Sequence, residues 1–246
     1  MVITSLDNEK VKYYYKLQKK KYRDLNNEFI VEGEHLVLEA YKAGVLKEVL
    51  LEEGEVLPID VEQVEVTRDI LKKISSLASP PKMIGLCDKI IDTTIGKRIL
   101  ILDEIQDPGN MGTIIRSAVA FNIDTIVIGD NTVDVFSPKV VRATQGMLFH
   151  VPIVIYSIDK LIPILKKLKI PVFATNVKYG EEVKNLSQDE KETFALIIGN
   201  EGNGVNPKYL EQSDKFIYIP MNDVVESLNV GVATSIILYE MDESNE

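Results

Sequence analysis

Apolar positions along the chain fall into two regimes. Between Phe29 and Asp88 they come in short runs of changing period. FIVEG, VLKEVLLEE, DVEQVEV and MIGLCD have the length and β-branched content of strands, whereas EHLVLEAYKAG and Leu71–Leu77 repeat every three to four residues, as helices do. Gly44 suits a helix end after Ala43, and the paired Pro80 and Pro81 stop the second helix. Residues 1–25, ahead of these runs, read as a helical arm. A small α/β domain is therefore expected over 1–92, followed by a polar linker at 93–98.

Beyond the linker the runs are ILILD (99–103), TIVIG (125–129), VPIVI (151–155), PVFAT (171–175), FALIIG (194–199) and FIYIP (216–220). Each is apolar at consecutive positions, the signature of a strand covered on both faces of a parallel sheet. Helical stretches intervene: NMGTIIRSAVAFN, SPKVVRATQGMLF, LIPILKKLK and VESLNVGVATSIILYE. Six strands alternating with helices predict a doubly wound, mostly parallel α/β sheet over 99–246. The closing MDESNE reads as a frayed acidic tail.

Composition narrows the class. Hydrophobic residues make up 45% and charged residues 27% of 246, a globular balance. No apolar run reaches the ~18 residues of a membrane span, and no signal-like segment opens the sequence, so cytoplasm is the expected setting. One cysteine, Cys87, and two histidines, His35 and His150, leave no disulfide framework, no cysteine-clustered zinc site and no three-histidine site. No metal and no membrane partner are expected. His35 reads as structural, His150 as a loop residue and Cys87 as a buried small hydrophobe.

The net charge of −10 argues against a general polyanion binder. Its distribution argues differently. Residues 1–25 carry seven basic and three acidic side chains, a net +4, which leaves −14 for the rest. Lys19, Lys20, Lys21 and Arg23 in this arm, following Tyr13, Tyr14 and Tyr15, could meet phosphates and stack on bases; a solvated helix with core tyrosines is the bland alternative.

In an open α/β sheet ligands gather beyond the carboxyl ends of the strands, and three polar stretches occupy that edge. The first runs from Asp103 to Gly112 and continues to Arg116. Asn110 is placed to cap the following helix. Arg116 lies ~9 Å further along the axis, and helical side chains lean back toward the N-terminus. It either reaches over the loop or snorkels on the surface. The second stretch, Gly199-Asn200-Glu201-Gly202-Asn203-Gly204, matches neither phosphate-loop fingerprint. The third is Ile219-Pro220-Met221 followed by Ser227-Leu228-Asn229-Val230, with Ser227 as a candidate N-cap.

In order and spacing, these three stretches resemble the signature motifs of the SpoU-type RNA 2′-O-ribose methyltransferases (the TrmH-like branch of the SPOUT class). The family's N-x-G-x-x-x-R is present as Asn110 to Arg116, its G-x-E-G-x-G as Gly199 to Gly204, and its third motif as Pro220 with Ser227 to Val230. Ser137 to Thr144 resembles a further family segment, and residues 29–50 resemble the start of its ribosomal-protein-like RNA-binding domain. Gly231 departs from the pattern, standing where the family often has serine, and is expected to loosen the helix start.

The resemblance implies a trefoil-knotted C-terminal domain, S-adenosylmethionine as methyl donor, and a homodimer formed through that domain. It implies backbone contacts to the donor at Gly199, Ile219 and Leu228, with Thr175, Asn176, Asn200, Glu201, Gly202, Pro220, Met221, Ser227 and Asn229 completing the site. Arg116 would contact the ribose hydroxyl and its phosphate, Asn110 and Glu201 would hold Arg116, and Ser227 and Asn229 would orient the third motif. Lys139 and Arg142 join the arm as RNA candidates. The two-domain layout favours 23S ribosomal RNA over transfer RNA; a non-catalytic RNA-binding or ribosome-assembly factor on the same fold is the alternative from another class.

Overall fold

The computed structural model describes residues 2–177 and 179–242. The chain divides into two compact units, Met1–Ile90 with Asp134–His150, and Ile91–Val133 with Val151–Glu246.

The first unit opens with two helices, where a single arm helix was expected, α1 (Glu9–Lys16) and α2 (Lys20–Asn26). Asn8 caps α1 by accepting from the Lys10 N–H, and Gln18 in the break donates to the Ile74 carbonyl at 2.6 Å. The α1 face of Val11 and Tyr14, continued by Leu17, is core. Tyr14 is fully buried with its hydroxyl on Glu48 at 2.7 Å, Tyr13 bonds Glu28, and only Tyr15 is exposed. The tyrosine cluster is thus largely structural. There follow β1 (Glu28–Glu32), α3 (Glu34–Lys42), β2 (Leu46–Glu52), β3 (Glu62–Val66), α4 (Arg68–Ile74) and β4 (Met83–Asp88). The sheet order is β1-β4-β2-β3, antiparallel except for the β2–β3 pair. Every strand expected between Phe29 and Asp88 is present, as are both helices, but α4 begins at Arg68 and ends at Ile74, short of the expected Leu77 and ahead of Pro80 and Pro81, which do not stop it.

The second unit holds β5 (Arg98–Leu102), α5 (Pro108–Ala120) and β6 (Thr125–Ile128). The chain then contributes α6 (Pro138–Ala143) to the first unit before resuming with β7 (Ile153–Ile155), α7 (Ile158–Leu168), β8 (Val172–Thr175) and β9 (Glu181–Glu182). It ends with α8 (Gln188–Glu192), β10 (Phe194–Ile198), α9 (Pro207–Leu210), β11 (Lys215–Tyr218) and α10 (Val230–Glu240). Seven strands form one parallel sheet in the order β7-β6-β5-β10-β8-β11-β9. Six are the expected apolar runs; β9 is two glutamates, invisible to an apolar pattern. β10 is buried along its whole length at the centre. Because β5, β10, β8 and β11 are parallel neighbours, the loops leaving their carboxyl ends meet on one edge.

Within the first unit, residues 134–150 are fastened by polar pairs and by stacked rings. The Arg23 guanidinium, 3% exposed, donates to Asp134 at 2.5 and 3.0 Å and to the Leu17 carbonyl at 2.7 Å. Phe29 packs on Phe136 and Phe149 at 5.1 and 6.3 Å between ring centres. Arg142 donates to Ser76 Oγ at 2.6 Å and pairs with the buried Glu32 at 3.4 Å. His150 meets Glu39 at 2.9 Å; Lys42 first and His150 second hold the Glu39 carboxyl down at about 2. Arg23 and Arg142, expected among the RNA contacts, are therefore engaged internally: Arg23 is a buried cation, which must be paired, and the partly buried Arg142 is paired as well.

The frayed-tail expectation fails where it can be seen. Met241 and Asp242 are buried, and Arg98 donates to the Met241 carbonyl at 3.0 Å and pairs with Asp242 at 3.4 Å. Residues 243–246 lie outside the described residues.

Replacing Asp134 with Ala strands the buried Arg23 charge. A loss of about 3–5 kcal/mol in unfolding free energy is expected, read by urea denaturation; a change below about 1 kcal/mol would mean the pair is solvated as a surface ion pair.

Candidate active site

The loop after β10 crosses closely over its own beginning. A Cβ on Gly199 would lie 2.1 Å from the Gly204 carbon and the Val205 nitrogen, so only glycine fits. Asn200 and Gly204 exchange backbone hydrogen bonds at 3.0 and 2.9 Å, and Gly204 takes a φ of +70°. The Asn200 side chain accepts from the N–H groups of Gly202 and Asn203. The glycine-rich stretch is thus a tight, self-bonded turn.

Glu201 projects from this turn to the loop after β5. Its carboxylate accepts from the backbone N–H groups of Asp107 at 3.0 Å and Gln106 at 3.2 Å, and from Asn110 Nδ2 at 3.1 Å. Burial pushes this carboxyl up, but the N–H groups of Asp107 and Glu201 itself, the Asn110 amide and the Gln106 N–H bring it below the ordinary glutamate range. Asn110 Oδ1 in turn accepts from Asn229 Nδ2 at 2.8 Å, and Asn229 Oδ1 accepts from the N–H groups of Gly231 and Val232. One chain of hydrogen bonds, Glu201–Asn110–Asn229, links the loops that carry all three motifs.

Two capping expectations are corrected by this arrangement. Asp107, not Asn110, caps α5, with Pro108 in the first turn, which frees the Asn110 side chain to bridge. Asn229, not Ser227, caps α10. Gly231 does not loosen the helix start. A Cβ there would lie 3.1 Å from Thr113 of α5, so glycine lets the two helices approach, and Ser117 and Ser235 share a hydrogen bond at 2.7 Å behind it.

The loops enclose a cleft of about 250 Å³. Of the residues expected at the donor site, Thr175, Asn176, Gly199, Asn200, Glu201, Gly202, Ile219, Met221, Ser227 and Leu228 line it; Pro220 and Asn229, both exposed, do not. Sequence reasoning missed Ile198 and Tyr218, which end the strands below, Thr234, and Ile237, which with Val232, Ala233 and Ile236 reads as an apolar packing face. Glu201 is the one charged side chain among the described lining residues.

Arg116 sits on α5 and is exposed. Among the described residues it makes no hydrogen bond or ion pair, so Asn110 and Glu201 hold each other and Asn229 rather than Arg116. Of the remaining RNA candidates Lys19, Lys20, Lys21 and Lys139 are exposed, and Lys20 pairs with Asp24 at 2.6 Å.

The SpoU rRNA methylase family profile matches residues 97–239, and that of the MRM3-like substrate binding domain matches residues 8–85. The chain belongs to the SpoU rRNA methylase family. A Bacillus subtilis relative named 23S rRNA (guanosine(2553)-2′-O)-methyltransferase RlmP is 37% identical over 245 residues, covering 97% of this chain and 98% of its own. The structure of an AdoMet-bound rRNA methyltransferase from Sinorhizobium meliloti superimposes with a TM-score of 0.87 at 28% identity, over 98% of this chain and 97% of that one. A crystal structure of an RNA 2′-O ribose methyltransferase does so with a TM-score of 0.81 at 27% identity, over 98% of each chain. The chain is a methyltransferase of the SpoU class, and the α/β fold class expected from its motifs stands.

Alanine at position 199 should displace the turn and abolish S-adenosylhomocysteine binding in calorimetry. Alanine at 202, where a Cβ meets only ordinary contact at 3.6 Å, should cost far less. Equal effects at both positions would contradict the close-crossing account.

Proposed function

We propose that this chain transfers a methyl group from S-adenosylmethionine to a ribose 2′-hydroxyl of 23S ribosomal RNA, as a cytoplasmic homodimer. The observation that carries the donor assignment is the cleft itself. Ile198, Ile219, Met221 and Leu228 offer apolar faces to a base, the loop backbone at Gly199 offers close polar contacts, and the sole charge on the described lining is negative. That lining suits a nucleoside bearing a positive sulfonium and is poorly suited to a polyphosphate. Bound there, the donor supplies an activated methyl and its own leaving group.

The protein's part is alignment and electrostatics. Gly199, Ile219 and Leu228 hold the donor, while the Glu201–Asn110–Asn229 chain keeps its three loops in register. Arg116, exposed and without a hydrogen bond or ion pair among the described residues, contacts the ribose hydroxyl and adjoining phosphate and lowers the cost of alkoxide charge. A guanidinium has no acceptor atom and keeps its charge in proteins, so Arg116 serves as a fixed cation rather than a proton acceptor. The exposed Val232 and Tyr239 on α10 provide apolar surface for the second subunit.

The full-length likeness to RlmP and the substrate-binding profile over residues 8–85 support ribosomal over transfer RNA. Among the described residues no helix is long and apolar enough to cross a membrane.

Arg116→Ala is expected to slow methyl transfer about 10²–10³-fold while leaving S-adenosylhomocysteine affinity within about twofold; near wild-type transfer would remove Arg116 from the mechanism. Ribose-methylation mapping in cells with and without the gene should show one 23S position lost, with the nucleotide equivalent to guanosine 2553 the first to inspect. A lost position in transfer RNA instead would redirect the substrate assignment.

RNA affinity is best tested by substitution, because deleting residues 1–25 would remove core residues Val11, Tyr14 and Leu17. Changing Lys19, Lys21 and Lys139 to Ala should lower the slope of log affinity against log salt by about 0.7–0.9 for each phosphate no longer neutralised. An unchanged slope would place the RNA elsewhere.

A further inference from the structure

The glycine-rich turn is gripped at both ends as well as at Glu201. At its start, Asn200 Nδ2 donates to the Glu104 carbonyl at 2.9 Å; at its finish, the Asn206 backbone N–H donates to Asp103 Oδ2 at 2.8 Å. The two acceptors are consecutive residues at the carboxyl end of β5, and neither lines the cleft.

Both residues are held in unfavourable states. Asp103 is 4% exposed, and among the described residues no lysine or arginine forms an ion pair with it. Burial pushes its carboxyl up, opposed by the Asn206 N–H. Lys208 attracts it only at a distance, and a buried carboxylate with no paired cation is costly unless hydrogen bonds satisfy it. Glu104 takes a φ of +58°, a left-handed conformation uncommon outside glycine, and this turns its carbonyl toward both Asn200 Nδ2 and Gln106 Nε2. Three bonds maintain it: Glu104 N–H to Thr132 Oγ1, Asn131 Nδ2 to Glu104 Oε1, and Gln106 Nε2 to the Asn131 carbonyl. Strain persists only where its surroundings impose it, and it concentrates at functional sites. Asn206 also begins α9 as its cap, so the bond to Asp103 fixes where the turn ends and the helix starts.

We propose that Asp103 and Glu104 are positioning residues that clamp the two ends of the 199–206 turn and thereby set affinity for the methyl donor. The inference rests on the reading of the cleft as the S-adenosylmethionine site. The clamp does not touch the reacting atoms. It therefore governs donor binding, whereas Arg116 governs the rate of transfer.

The test is calorimetry with S-adenosylhomocysteine together with methyl-transfer kinetics at saturating RNA on the full chain. Asp103→Ala removes the acceptor. Asn206→Pro removes the donor N–H at a residue whose φ of −55° already suits proline. Each should raise Kd and the donor KM about tenfold, with kcat at saturating donor within about threefold. Asp103→Asn, which keeps an oxygen acceptor in place, should recover most of the affinity. Asn206→Ala, which keeps the N–H and loses only the cap, should stay within about twofold. Unchanged donor KM and Kd in both Asp103→Ala and Asn206→Pro would overturn the proposal, as would a fall in kcat at unchanged KM. If Asp103→Ala does not fold, the contrast between Asn206→Pro and Asn206→Ala decides alone. Failure of the wild-type chain to bind S-adenosylhomocysteine would count instead against the reading of the cleft.

Discussion

Glu201 is a carboxylate that reaches out of its own loop and is met there by two backbone N–H groups and the Asn110 amide. These bonds keep the acid ionised, and an ionised acceptor makes the stronger hydrogen bond. Asn110 can then present its oxygen to Asn229, which is left with its own oxygen for capping α10. Reverse one amide and two donors would face each other, so the network has a single consistent polarity. The cleft exists because three loops, each leaving a different parallel strand, share this one arrangement.

The large sheet was legible because strands covered on both faces must be apolar at every position, and six runs between Ile99 and Pro220 satisfy that. The cleft was legible for a different reason. Glycines and amides at strand ends have few roles beyond tight turns and ligand contact, and most of the residues singled out there do line it. What stayed hidden was which atom serves which neighbour. Asp107 and Asn110 both suit a helix start, and only the pull of Glu201 on Asn110 decides between them. Ile237 looks like core because a cleft-facing stripe and a core-facing stripe have the same period.

Basic residues were the least legible class. Lys19, Lys21 and Lys139 are exposed, whereas Arg23 and Arg142 spend their charge on Asp134 and Glu32, acids far away in sequence. Local charge counting cannot see such partners, since a +4 arm sums its residues whether they face solvent or core. Net charge is blind to the acids in the same way: Glu28, Glu32, Glu39 and Glu48 count toward the −14 of the remaining chain, yet they are buried acceptors within the first unit.

The excursion of residues 134–150 into the first unit bears on how such a protein can be inherited or recombined. By sequence profile the small domain ends by residue 85 and the large one begins near 97. By packing, the small unit also owns Asp134, Phe136 and Arg142. A crossover between relatives placed in the linker would therefore separate Arg23 from Asp134 and Glu32 from Arg142, bringing together halves whose buried charges were never matched. Recombination at the apparent domain boundary is penalised here by electrostatics. Changes at those positions must travel as pairs across a gap of about a hundred residues.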